Sequence, residues 1–181
     1  MMAAFMERMG DPAGAVTEPA SGTEPRSFEA FFTAEHMRLQ RALFLLNGNT
    51  GEAEELMQES FIAVWERWDR VGAMEDPTGY LYRTALNRYR SGLRRAARLA
   101  RRAVAPGAEV DAFAAADERD AVARALALLP ARQRAAIVLV ELLGFDAASA
   151  ARILGVKDVT VRSLASQARA SLRKTLEENG D

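Results

Sequence analysis

Between Ala150 and Leu164 the chain reads AARILGVKDVTVRSL, and this stretch constrains the fold more than any other. Ala151 is followed four residues on by Gly155, then six on by Val161 and three on by Leu164. A small residue lets two helices cross closely, glycine supplies a turn with positive φ, and the two apolar residues face inward on the second helix. That is the spacing of a helix-turn-helix, a motif whose second helix enters the DNA major groove. Ile153, Val156, Ala168 and Leu172 continue the buried side, which leaves Arg162, Ser163, Ser166, Gln167 and Arg169 pointing outward.

The rest of the chain reads as helix too. Ala, Leu and Arg abound, β-branched and aromatic residues are few, and an all-α protein follows. Residues 1–26 are rich in Ala, Gly, Pro, Thr and Glu without apolar periodicity and read as a disordered leader. Ser27 is placed to cap a first helix carrying Phe28, Phe31, Phe32, Leu39, Leu43, Phe44 and Leu46, which stops at Asn47-Gly48-Asn49. Thr50 is the expected cap of a second helix with Ala53, Leu56, Met57, Phe61, Val64, Trp65 and Trp68 on one broad face. A turn from Asp69 to Asp76 leads to a third helix over about 77–102, with Pro77 tolerated in its first turn. Residues 103–116, holding Pro106 and Gly107, read as a linker. Four short helices follow, Asp117–Leu129, Ala131–Leu143, Asp146–Leu154 and Asp158–Glu177, parted by Pro130, Gly144 and Gly155. At 181 residues the chain has room for two small helical domains, 27–102 and 117–177, joined by that short linker.

Charge is segregated along this order although the net charge is only −1. Glu52, Glu54, Glu55, Glu59, Glu66 and Asp69 face a single Arg67, so the second helix is acidic. From Pro77 to Ala108 no acid occurs, while Arg83, Arg88, Arg90, Arg94, Arg95, Arg98, Arg101 and Arg102 accumulate. The stretch from Arg152 to Lys174 is again basic, with Arg152, Lys157, Arg162, Arg169, Arg173 and Lys174 against Asp158. One acidic helix and two basic ones suggest one protein partner and two nucleic-acid contacts.

Several function classes are excluded or disfavoured. Without cysteine there is no disulfide, thiolate metal site or cysteine nucleophile, and His36 as the sole histidine cannot build a multi-histidine metal site. No glycine-rich phosphate loop or acid–base pair emerges, so neither an enzyme nor a cofactor is expected. No signal peptide or membrane span of ~18 apolar residues is present in the sequence, which places the expected site of action in the cytoplasm.

Three segments carry a family resemblance. AEELMQESF, Ala53–Phe61, resembles the motif with which small sigma factors bind the clamp helices of RNA polymerase. YLYRTALNRYRSGLRR, Tyr80–Arg95, resembles their helix that melts and reads the minus-ten promoter element, and Leu128–Lys174 resembles their minus-thirty-five reading domain. In order and spacing the chain resembles an extracytoplasmic-function (ECF) sigma factor of the sigma-70 family, of an actinobacterial SigE-like subgroup. The chain departs from that pattern in carrying Glu55 for the usual Asp, Val159 for a Gly before the Thr-Val pair, and fewer basic residues over Leu164–Gln167.

The resemblance implies core RNA polymerase and promoter DNA as partners, with an anti-sigma factor as an occasional third. Polymerase binding falls on Glu54, Glu55, Gln58, Glu59 and Phe61. The minus-ten contacts fall on Tyr80, Tyr82, Arg83, Asn87, Arg88, Arg90, Arg94 and Arg95, with Tyr89 a further stacking platform for an unpaired base. The loop from Arg70 to Asp76 would hold a flipped base. The minus-thirty-five contacts fall on Lys157, Thr160, Arg162, Ser163, Ser166, Gln167 and Arg169, where Arg suits guanine and Gln adenine. Two other readings of the same residues are a one-component helix-turn-helix regulator that binds duplex without polymerase, and a helical protein-binding adaptor.

Overall fold

The computed structural model describes residues 27–102 and 121–178, and all of its regular structure there is helical. The leader, the linker 103–116 and the first turn of the helix expected from Asp117 lie outside the described residues. The N-terminal half is built from α1 (Phe28–Asn47), α2 (Thr50–Trp65), α3 (Trp68–Val71) and α4 (Pro77–Arg102). The C-terminal half holds α5 (Ala121–Ala127), α6 (Ala131–Ile137), α7 (Ala147–Leu154) and α8 (Asp158–Glu178).

Caps and turns explain where these helices begin and end. Ser27 accepts the Ala30 N–H as expected, and Gly48 at φ 72° ends α1 by donating its N–H to the Phe44 carbonyl at 2.7 Å. The cap of α2 is Asn49 and not Thr50: its side chain accepts the Glu52 N–H at 3.0 Å. Asparagine is the stronger cap and sits one residue earlier, which puts Thr50 inside the helix. The expected turn after α2 contains one helical turn, α3, before Asp76 accepts the Gly79 N–H at 2.7 Å and opens α4 behind Pro77.

The helix expected to run from Ala131 to Leu143 changes character partway. After Ile137 it continues as a five-residue π-helix, Val138–Leu142, closed by the Leu143 N–H on the Val138 carbonyl at 3.1 Å. The wider turn lets Val138 and Leu139 both be buried while Glu141 stays on the surface. Apolar periodicity cannot reveal it, because a one-residue slip falls within the breadth of an ordinary apolar face.

Asp146 caps α7 by accepting the Ser149 N–H at 2.6 Å, and that backbone hydrogen bond holds its carboxyl below the usual carboxylate range. A lowered folded-state value stabilises above the unfolded pKa and stops doing so as pH falls through the folded one. Asp146→Ala is therefore expected to melt earlier than the parent at neutral pH, the gap closing in acid below the ordinary carboxylate range; Asp146→Asn, an equally good cap, should show no such convergence. Melting curves of the three proteins from pH 7 down to pH 2 check this.

The two halves share one core. Phe28, Phe31, Leu39, Leu43, Phe61 and Val64 of the first unit join Ala136, Val138, Leu139, Ile153 and Val161 of the second in a single apolar cluster. Across the seam α1 meets α5 and the π-helix, and α4 meets α7. Leu39, Leu43 and Leu46 of α1, Leu86 of α4, and Val138 and Leu139 line a small apolar gap there.

Candidate nucleic-acid and polymerase interfaces

Helix α2 turns its apolar stripe inward and its acids out. Glu54, Glu55 and Glu59 are exposed; Gln58, half-buried, donates to Glu54 at 3.2 Å. Phe61 does not join them. It is buried against Phe28, Phe31 and Phe32, with the Phe32 ring 4.8 Å away, and so belongs to the core and not to the exposed face with Glu54, Glu55 and Glu59. Its position on the stripe of Ala53, Met57 and Val64 gives the reason: the apolar spacing carries it inward. Trp65 and Trp68 flank the same aromatic cluster, Trp68 partly buried and Trp65 partly exposed.

On α4 the expected residues divide between two faces. Arg83, Asn87, Arg94 and Arg95 are exposed and Arg88 half-exposed, the last paired with Glu59 at 3.1 Å. Tyr80 is half-buried. Tyr82 is only 2% exposed: its hydroxyl donates to Glu35 at 3.4 Å and its ring meets the edge of Phe145 at 5.2 Å. Burial raises its pKa, with the Glu35 charge adding to the effect. Tyr89 is buried as well and donates to the Leu46 carbonyl at 3.0 Å. In this arrangement neither ring offers a face to a base. Arg90 donates to the Leu154 carbonyl at 3.1 Å, spending its guanidinium on the end of α7.

The helix-turn-helix stands as the spacing requires. Gly155 takes φ 67°, and its N–H reaches the Ala151 carbonyl before α8 begins at Asp158. Val161, Ala165 and Ala168 are buried and Leu164 partly so. Lys157, Thr160, Arg162, Ser163, Ser166, Gln167 and Arg169 are all exposed. Arg162 pairs with Asp158 at 2.7 Å, Arg169 pairs with Glu141 of the π-helix, and Gln167 accepts from Gln133 at 3.2 Å. These exposed pairs are weak.

Sequence reasoning missed the polar groups that fasten the halves together. Arg134, 8% exposed, donates to the Leu46 carbonyl of α1 at 2.8 Å and to the Ala127 and Leu129 carbonyls at 3.1 and 3.0 Å. Burial lowers its pKa. Glu35, 6% exposed, gathers Arg38, Thr78 and Tyr82, and Arg38 reaches on to the Leu143 carbonyl at 3.1 Å. Asp76 and Arg152 add an exposed pair at 3.8 Å. A signal was present: Glu35 stands on the stripe Phe31, Leu39, and Arg134 stands among Ala135, Ile137 and Val138, charges where apolar residues are due. His36 lies stacked on Phe32 with Nδ1 3.0 Å from the Phe32 carbonyl, a structural role. Among the described residues no helix is long and apolar enough to cross a membrane.

Two family models match the chain, one in each half. Residues 31–99 match the family Sigma-70 region 2, and residues 119–172 match Sigma-70, region 4. The ECF RNA polymerase sigma factor SigM of Mycobacterium tuberculosis is 31% identical over 154 residues, covering 83% of this chain and 77% of SigM. SigE of Mycolicibacterium smegmatis is 29% identical, covering 95% of this chain and 71% of its own length. In three dimensions the chain is similar to the sigma factor RpoE of Bartonella quintana, solved with the anti-sigma factor NepR, at a TM-score of 0.71 and 23% identity over 83% of this chain and 96% of that one. It is also similar to CnrH, solved with the cytosolic domain of CnrY, at a TM-score of 0.60 and 26% identity over 83% and 88% of the two chains. The acidic α2 falls inside the first matched region and most of α4 and α8 inside the two, and the chain belongs to the ECF group of sigma-70 RNA polymerase sigma factors.

Proposed function

We propose that this sigma factor docks on core RNA polymerase through the exposed acids of α2 and grips promoter DNA twice, through α4 at the minus-ten element and α8 at the minus-thirty-five element. The observation that carries the proposal is the charge layout: Glu54, Glu55 and Glu59 outward on α2, and two separate outward basic faces, Arg83, Arg94 and Arg95 on α4 and Arg162 and Arg169 on α8. The functional units are residues 27–102 and 117–177, the chain performs no chemistry of its own, and it works in the cytoplasm. An anti-sigma factor is a further partner class, in keeping with the NepR complex of the structural neighbour RpoE.

Promoter binding requires the halves to part. Elements about 25 base pairs apart lie on the order of 80 Å from each other along the duplex at ~3.4 Å per pair. In the structure α4 and α7 touch, with Arg90 on the Leu154 carbonyl. Opening along the seam frees Arg90 from the Leu154 carbonyl and the Tyr82 ring from Phe145, two minus-ten residues that the closed form keeps occupied, while Tyr89 stays bonded to Leu46 of α1.

Transcription from a promoter library by core polymerase, with and without the protein, tests the reading: a set of start sites that core alone ignores is expected. Arg162→Ala with Gln167→Ala should weaken upstream recognition, each base-reading pair being worth about 1–3 kcal/mol, and relax selectivity at one or two positions. Arg83→Ala or Arg94→Ala, as phosphate contacts, should weaken all promoters alike and lower the salt slope by about 1. Equal effects of both kinds of change on every promoter would contradict the division of roles.

A further inference from the structure

Val159 is a large apolar side chain set among polar residues on the outward face of the first turns of α8. It is the second residue of α8 and 60% exposed. At about 100° per residue it shares its direction with Ser163 and Ser166 and lies beside Arg162, opposite the buried Val161, Ala165 and Ala168. It therefore stands in the middle of the outward stripe, near the helix N-terminus, the part of a recognition helix that meets base edges. A single exposed apolar residue elsewhere needs no explanation. Here the site narrows the options, because the major groove of unmodified DNA offers one apolar group, the C5-methyl of thymine; every other base edge presents donors and acceptors.

We infer that Val159 is a specificity-determining residue, reading the methyl group of one thymine in the upstream promoter element. The contact adds to the hydrogen bonds of Arg162, Ser163 and Gln167 a term that selects an A·T pair by shape and apolar burial. It rests on the proposed docking of α8 in the major groove. Burying one methyl-sized group is worth about 0.8 kcal/mol, close to fourfold in affinity.

Deoxyuridine isolates this term, since it keeps thymine's hydrogen-bonding edge and lacks only the methyl. Polymerase holoenzyme reconstituted with the full chain is used to select promoters from a random duplex library, and each thymine of the upstream element, on either strand, is then replaced singly by deoxyuridine. Wild-type holoenzyme should lose about fourfold affinity at one position and little at the rest. Val159→Ala should show no penalty at that position, and Val159→Ile, which keeps an apolar tip, should retain it. The inference is overturned if no replacement affects the wild type, if the penalty persists in Val159→Ala, or if the selected element holds no thymine. If the holoenzyme selects no upstream sequence at all, the docking of α8 fails and this inference fails with it; selection without a methyl effect removes the inference alone.

Discussion

The chain carrying Glu55→Lys and Glu59→Lys is expected to keep its helical content and melting behaviour and to lose core polymerase, with affinity falling at least a hundredfold. Both carboxylates are exposed on α2, so neither supports the core and neither replacement buries a charge. Reversing a charge at a docking surface removes an attraction and introduces a repulsion, a change of several kcal/mol for two sites. The two positions are not equivalent. Glu59 also accepts from Arg88 of α4 at 3.1 Å, so a lysine there repels α4 as well as polymerase. Glu55 makes no ion pair with the described side chains of α4, and Glu55→Lys alone is the cleaner probe of docking. Pull-down of core polymerase at low salt, beside a circular-dichroism melt, separates the effects: unchanged capture by the double variant would remove α2 from the interface.

The positions of these acids were legible in the sequence because α2 obeys a simple rule, apolar residues every third or fourth position and charges between them. The same rule explains where Phe61 lies. Phe61 sits at the family motif's end, yet its spacing from Met57 and Val64 carries it inward, and periodicity was the better guide. The helix-turn-helix was legible for a different reason: Gly155 must adopt positive φ, and Ala151 and Val161 are fixed in register to it. What stayed hidden depends on the approach of distant elements. Tyr82 and Tyr89 look like free aromatic platforms on a basic helix, and only the packing of Phe145 across the seam and of the Leu46 carbonyl of α1 occupies them. The π-helix escaped because it alters hydrogen-bond register without altering composition.

Replacing Arg134 by alanine is expected to destabilise the protein by about 3 kcal/mol, close to 10 °C in melting temperature for a chain of this size. The guanidinium serves three carbonyls, those of Leu46, Ala127 and Leu129, from a site almost closed to water. Removing it leaves acceptors with no donor, and each unsatisfied buried group costs about 1–3 kcal/mol. Against this stands the recovered cost of desolvating the charge, visible in the lowered pKa, which keeps the net effect below the sum of three broken bonds. Arg38→Ala is the comparison: Arg38 also spans the seam, to the Leu143 carbonyl, but is half-exposed and should cost under about 1 kcal/mol. Because Arg134 joins α1 to the turn after α5, its loss should uncouple the halves as well as weaken them. Calorimetry is then expected to show one unfolding transition for the parent and two for Arg134→Ala. A variant that melts within a degree or two of the parent, as a single transition, would mean that the seam is held by its apolar contacts alone.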